Sequence, residues 1–333
     1  MVRVPSSTVS EEREKMLSRR ALAITDLLAV AAILVIVTAL GVPTLERARE
    51  LSKRMVCAVN LKALGGASAV YADAHKGEWM TPPYRRESAR SPGIEYLCDG
   101  NNSYDTVCVG FERHRPSYSE TFADPFGGTP AVTTTRAFWM LVRSESVSVK
   151  QFVCPSSLND VSDPMPQVDL YYDFAEYRNI SYGYRVPFGP PDTQPRSGAD
   201  NGLVFAADKG PFYRDVILDP YTLGPGYSPL QESHAPHYWS PMNSPNHGGQ
   251  GNGEGQNALH ADGHVVFYRK PIAGIDGDNI YTLMLDQWGN NPFGRTHGDS
   301  PHDSAATNPF PGKEAFGNEN LTSYSTTDSL IYP

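Results

Sequence analysis

Residues 18–43, SRRALAITDLLAVAAILVIVTALGVP, constrain this chain more than any other stretch. Two arginines precede about 20 nearly unbroken apolar residues that carry one acid, Asp26, and the run closes at Pro43. A soluble domain has little room to bury such a run, whereas a bilayer core about 30 Å thick needs a helix of this length. The stretch therefore predicts a membrane-inserted N-terminal helix. A carboxylate near the start of such a segment is costly in lipid and needs a partner, so Asp26 is a candidate functional residue.

The flanks give orientation and fate. Residues 1–20 carry Arg3, Arg13, Lys15, Arg19 and Arg20 against Glu11, Glu12 and Glu14, and Arg47, Arg49, Lys53 and Arg54 follow the run. Charge is thus present on both sides, and the Arg19-Arg20 pair abutting the run places the N-terminus inside. A secretory signal peptide has a shorter apolar core and a cleavage site after it, so the helix is expected to be retained. Beyond Pro43, small or apolar residues recur at Leu45, Ala48, Ser52, Met55, Val59, Ala63, Ala67, Val70 and Ala74. That is helical spacing, and it predicts a continuing helix. Gly65-Gly66 is the expected point of a kink. Pattern alone leaves two readings open, a plain signal anchor with a juxtamembrane helix and an assembly helix.

The rest of the chain reads as a sheet-containing head. It holds 28 Pro, 29 Gly and 18 Tyr in 333 residues, which favours turns and short strands over a helical body. A net charge of -9 supplies no basic stripe for phosphates, so nucleic acid is not an expected partner. Residues 79–93 read as a linker or surface loop and 137–142 as a short apolar run that a helix would accommodate. Residues 152–153, 180–186 and 203–207 read as strands, and 222–255 as a long loop. The expected architecture is α+β: a long N-terminal helix, membrane-embedded in its first half, packed against a largely antiparallel sheet with long loops. The expected segments are a leader at 1–21, a transmembrane helix at 22–43, its exposed continuation at 44–75 and an exported head at 76–333.

Two stretches suggest chemistry. In His260-Ala-Asp262-Gly-His264 a continuous strand would align two imidazoles and a carboxylate for a metal. Asp262-Gly263 between alternating apolar runs is instead a hairpin signal. A two-residue turn there pairs Ala261 with His264, His260 with Val265 and Leu259 with Val266, and puts His260 and His264 on opposite faces. A metal-dependent hydrolase would need both on one face with a third ligand. In residues 275–279, IDGDN, Asp276, Asp278 and Asn279 offer oxygen donors suited to calcium, but the full twelve-residue loop with its closing Glu is missing, and a solvated turn is the favoured explanation. No Gly-x-Ser-x-Gly, phosphate loop or His-Glu-x-x-His occurs, so no enzymatic role and no cofactor, calcium aside, is expected. Tyr171, Tyr172, Tyr238 and Trp239 read as core packing or as a glycan-facing surface.

The segment ALAITDLLAVAAILVIVTALGVPTLERARE resembles the N-terminus of type IV prepilins and type II secretion pseudopilins. The resemblance implies prepilin-peptidase cleavage between Ala21 and Leu22, N-methylation of Leu22, and Asp26 in the place of the acid that governs assembly. Ala21, Leu22 and Asp26 stand where that group usually has Gly, Phe and Glu. RMVCAVNLKALGGASAVYADA, with Cys57, Asn60, Leu61 and Tyr71, is similar to a bacterial prepilin-type group with a C-terminal His…Asp-Gly element. FVCPSS, SYGYRVPFG, GQNALHADGHVVF and DNIYT resemble the same group, with His247, Asp262 and Gly263 at its motif positions; fourteen residues separate His247 from Asp262, more than that group has. In an exported head four cysteines favour disulfides. Cys57 and Cys154 fall at positions the resemblance covers, and Cys98 and Cys108 bracket a polar loop; the expected pairs are Cys57 with Cys154 and Cys98 with Cys108, although sequence does not fix connectivity. The implied function is a non-catalytic pilin-like or pseudopilin-like subunit anchored in the bacterial inner membrane with a periplasmic or extracellular head. Its expected partners are a prepilin peptidase and copies of itself or other pseudopilins. The alternative is a signal-anchored, non-polymerising envelope protein whose head binds a glycan or protein.

Overall fold

The computed structural model describes residues 6–82, 134–164, 174, 177–187, 194–211, 225–226, 230, 232–248, 252–281, 326–327, 329 and 331–332. The chain divides into two compact units, Met1–Ser52 and Lys53–Pro333. Helix α1 runs from Ser6–Ala74. Its first unit is rich in Ala, Leu, Ile and Val, and the large apolar side chains from Leu27 to Val42 are each more than half exposed. Among the described residues this is one helix long and apolar enough to cross a membrane. Pro43 lies inside it, where the ring removes an intrahelical donor. Thr44 Oγ1 donates to the carbonyls of Gly41, at 2.8 Å, and Leu40, at 3.3 Å, adding hydrogen bonds next to the break.

The second unit begins with the end of α1. Its buried stripe is Cys57, Leu61, Leu64, Ser68 and Ala72, at steps of three and four. Of the set that signalled the helix, Met55, Val59 and Val70 are exposed, at 67%, 62% and 70%, while Ala67 packs partly against the core. Both sets have helical spacing, and the side that carries Cys57 is the one the head covers. The helix passes through Gly65-Gly66 without interruption. Gly65 is buried, and a Cβ there would meet the Leu259 side chain at 3.1 Å, so the residue serves a close helix-to-sheet approach rather than an end of the helix.

Among the described residues five strands make one antiparallel sheet: β1 (Tyr182–Arg185), β2 (Val204–Asp208), β3 (Gln256–His260), β4 (Val265–Tyr268) and the two-residue β5 (Ile331–Tyr332). Their order is β4-β3-β2-β1-β5, with β1, β2 and β3 fully buried because both faces are covered. A register shift between Val204 and Ala206 marks a bulge in β2. One face packs on α1 and on helix α2 (Thr135–Arg143), through Phe138, Phe152, Phe174, Tyr184 and Phe205. Phe138 meets Tyr184 edge-on at 5.1 Å, and Trp79 lies 4.1 Å from Phe205. The other face carries Val204, Ala207, Ala258, Ile280, Tyr281 and Ile331.

Two local expectations change. Phe152 ends a 3-10 turn, Val149–Phe152, rather than starting a strand; Ser148 and Gln151 close a capping box that holds the turn. The expected loop at 222–255 contains the 3-10 helix Pro236–Met242, and Trp239 in it is fully buried with Leu230 and Met242. Tyr238 packs partly against that cluster, while Tyr171 and Tyr172 lie outside the described residues.

Candidate functional site

Cys57 of α1 and Cys154, just after the 3-10 turn, form a disulfide across a sequence separation of 97 with Cα atoms 5.4 Å apart. Cys98 and Cys108 lie outside the described residues. The bridge enters a buried polar cluster. Asp208 at the end of β2 and His247 in the loop before β3 are both fully buried. His247 Nε2 lies 3.2 Å from Asp208 Oδ2 and 3.9 Å from Cys154 Sγ. Asn257 donates to Asp208 Oδ2 from its backbone N–H at 2.6 Å and its side chain at 3.2 Å, and Asn246 Nδ2 donates to Oδ1 at 2.9 Å. An acceptor-only carboxylate thus meets donors on both oxygens, which is what a buried charge requires. Asn257 Nδ2 lies 3.3 Å from the same His247 Nε2, so that nitrogen sits between a carboxylate and an amide.

Five segments of the chain build this cluster, and backbone and side-chain contacts hold them. Glu254 N–H donates to the His247 carbonyl at 2.7 Å, and His247 bridges Gly255. Gly255 has φ +145°, and a Cβ there would run into the Tyr268 carbonyl, so only glycine admits the turn. Ser181 Oγ accepts from Cys154 N–H at 2.9 Å and donates to Asp160 Oδ2 at 2.6 Å. Asp160 in turn pairs with Lys209 at 2.5 Å, both side chains 2% exposed. Asn60 of α1 donates to the Tyr182 hydroxyl at 3.3 Å. Burial and the charge of Asp208 push the Tyr182 phenol up, which keeps it neutral.

The hairpin at Asp262-Gly263 exists, but its register differs from the expected one. Leu259 pairs with Val265 and Ala258 with Val266, and His260 N–H donates to the His264 carbonyl at 2.9 Å. The loop therefore has three residues, Ala261, Asp262 and Gly263, the last at φ +85°. One residue of shift reverses the faces. His260 and His264 consequently stack on the same side, ring centroids 4.1 Å apart and interplanar angle 5°, rather than standing on opposite faces. The two ring nitrogens of His260 are engaged, Nδ1 with the Gly202 carbonyl at 3.2 Å and Nε2 with the Tyr268 hydroxyl at 3.0 Å. The Asp262 carboxylate accepts from the His264 backbone N–H and contacts its ring. Burial, with His264 alongside, holds the His260 imidazole below its ordinary range. His247 and Asp262, grouped by sequence resemblance, have different surroundings: the first is buried at the disulfide and the second sits at the hairpin tip.

Of the calcium candidates, Asp276 lies in the 3-10 turn Ile275–Gly277 and its side chain is outside the described residues. Asp278 and Asn279 are buried. Asp278 Oδ2 accepts from Ser329 N–H at 2.8 Å, and Asn279 Oδ1 accepts from Tyr281 N–H at 3.2 Å. These oxygens hold the segment before β5 and the turn after β4. Burial pushes the Asp278 carboxyl up to about 7, against the lowering effect of Ser329 and Arg185. In α1, Asp26 is exposed; Ala21 and Leu22 are on helical backbone, and their side chains are outside the described residues.

Neither protein-family models, nor curated proteins, nor solved structures give a match to this chain. The class its architecture defines is an α+β head with an antiparallel sheet, built on the end of a long N-terminal helix whose first part is apolar and exposed. Asp208, Asn246 and Asn257 were not singled out by sequence patterning. An aspartate closing an apolar strand, VFAAD, was the available signal.

Proposed function

We infer that this chain is a pilin-like or pseudopilin-like structural subunit. The apolar part of α1 holds the precursor in the inner membrane, with the head outside. A prepilin peptidase cuts between Ala21 and Leu22, and the freed helices pack with copies of themselves or with other pseudopilins. The observation that carries the reading is α1 itself. It presents uncovered apolar side chains around one exposed acid, Asp26, and its far end is built into the head's core and bridged there by Cys57–Cys154. A disulfide supports an oxidising compartment for the head. In the assembly a buried Asp26 carboxylate is compensated by the amino terminus of a neighbouring subunit, which sets axial register. The role is non-catalytic.

Mass spectrometry of the protein taken from its native membrane tests this. A mature chain beginning at methylated Leu22 is expected. A stable population that keeps residues 1–21 refutes it and favours a signal-anchored protein that does not polymerise.

A further inference from the structure

The disulfide cluster contains a complete donor set for a transition metal. We propose that, when the Cys57–Cys154 bridge is reduced, Cys57, Cys154, His247 and Asp208 bind one zinc ion, so that the same tie between α1 and the head is made by metal under reducing conditions and by a disulfide under oxidising ones. One ligand atom from each of the four residues lies within 4.8 Å of every other, and all four residues are buried. Zinc bonds of about 2.3 Å to sulfur and 2.0–2.2 Å to nitrogen or oxygen place tetrahedral ligands roughly 3.3–3.8 Å apart. The existing spacing needs only side-chain adjustment to reach that.

The supporting shell is already present. Asn246 and Asn257 hold the two Asp208 oxygens, and the His247 backbone is fixed by Glu254 and Gly255. Such outer partners orient ligands and are ordinarily as necessary to a metal centre as the ligands themselves. Two thiolates, one imidazole and one carboxylate suit zinc better than calcium or magnesium, which take oxygen ligands.

A dithiol reductant gives two electrons to the Cys57–Cys154 bond, is itself oxidised to a disulfide, and leaves two thiols. Zinc binding releases their two protons and forms two metal–sulfur bonds. In the reverse direction a disulfide oxidant takes two electrons from the thiolates, the sulfur–sulfur bond forms and zinc leaves. Because the residues are buried, metal enters before the head closes over them, during folding of the reduced chain.

The test uses the full chain in detergent micelles, with Cys98→Ser and Cys108→Ser to remove other thiols, and cobalt(II) as a spectroscopic stand-in for zinc. The reduced protein is expected to bind one cobalt per chain, with a sulfur-to-cobalt charge-transfer band and the visible bands of tetrahedral cobalt, while the oxidised protein binds none. His247→Gln and Asp208→Asn each weaken binding by about tenfold or more. If reduction unfolds the head, cobalt restores the buried Trp139 fluorescence in the parent but not in His247→Gln. No tetrahedral cobalt spectrum, no such recovery, or unchanged binding in both variants overturns the proposal, the last because thiols alone would then hold the metal.

Discussion

Replacing both members of the Cys57–Cys154 bridge by alanine removes a cross-link without leaving a buried thiol or hydroxyl. The bridge closes a sequence separation of 97 residues. In the chain-entropy treatment a loop of that size withholds about 4.7 kcal/mol of freedom from the unfolded state. The dependence on length is logarithmic, so an additional short bridge inside the loop alters the figure little. The lost sulfur packing adds on the order of 1 kcal/mol, since Cys57 and Cys154 are at most 1% exposed. A total loss of roughly 5 kcal/mol is a large share of a typical domain's stability. Urea unfolding of the full chain in micelles, followed through the buried Trp79 and Trp139, is a suitable assay. The midpoint should fall and the m-value should rise, because the unfolded chain without the link exposes more surface. A loss below about 1 kcal/mol refutes the reasoning; it would mean that packing of the Leu61, Leu64 and Ala72 stripe alone confines the chain.

Asp208→Ala strands the donors of Asn246, Asn257 and His247 in a buried site and should cost about 3–5 kcal/mol in the same assay. Near-wild-type stability would show that the cluster is solvated. Asp278 binds its proton more tightly in the folded chain than in the unfolded one, so its contribution to stability is greatest in acid and is lost as pH rises from about 4 to about 7. His260, held low, acts in the opposite sense near its own range, so the comparison is made against Asp278→Asn. The stability of the wild type relative to that variant should fall across this window, and a constant difference contradicts the assignment. Asp26→Ala should leave membrane insertion intact and reduce filament yield or pseudopilus assembly several-fold; an unchanged yield counts against the pairing role.

α1 is legible in the amino-acid sequence, because a 3.6-residue period and a run long enough for a bilayer are local properties. It also placed β1, β2 and the turn at Asp262-Gly263, where β-branched or aromatic residues meet turn formers. Tertiary structure decided what depends on parity and on distance along the chain. A loop of three residues instead of two turned His260 and His264 to one face, and the covering head selected the Cys57–Ala72 side of α1 over the equally periodic Met55–Val70 side. The Cys154, Asp208, His247 and Asn257 cluster gathers residues spread over about a hundred positions. Cys154 and His247 stood out in the sequence, whereas Asp208 and Asn257 alone read as ordinary polar positions. Only folding removes water from them together, and desolvation is what makes a carboxylate require every donor around it.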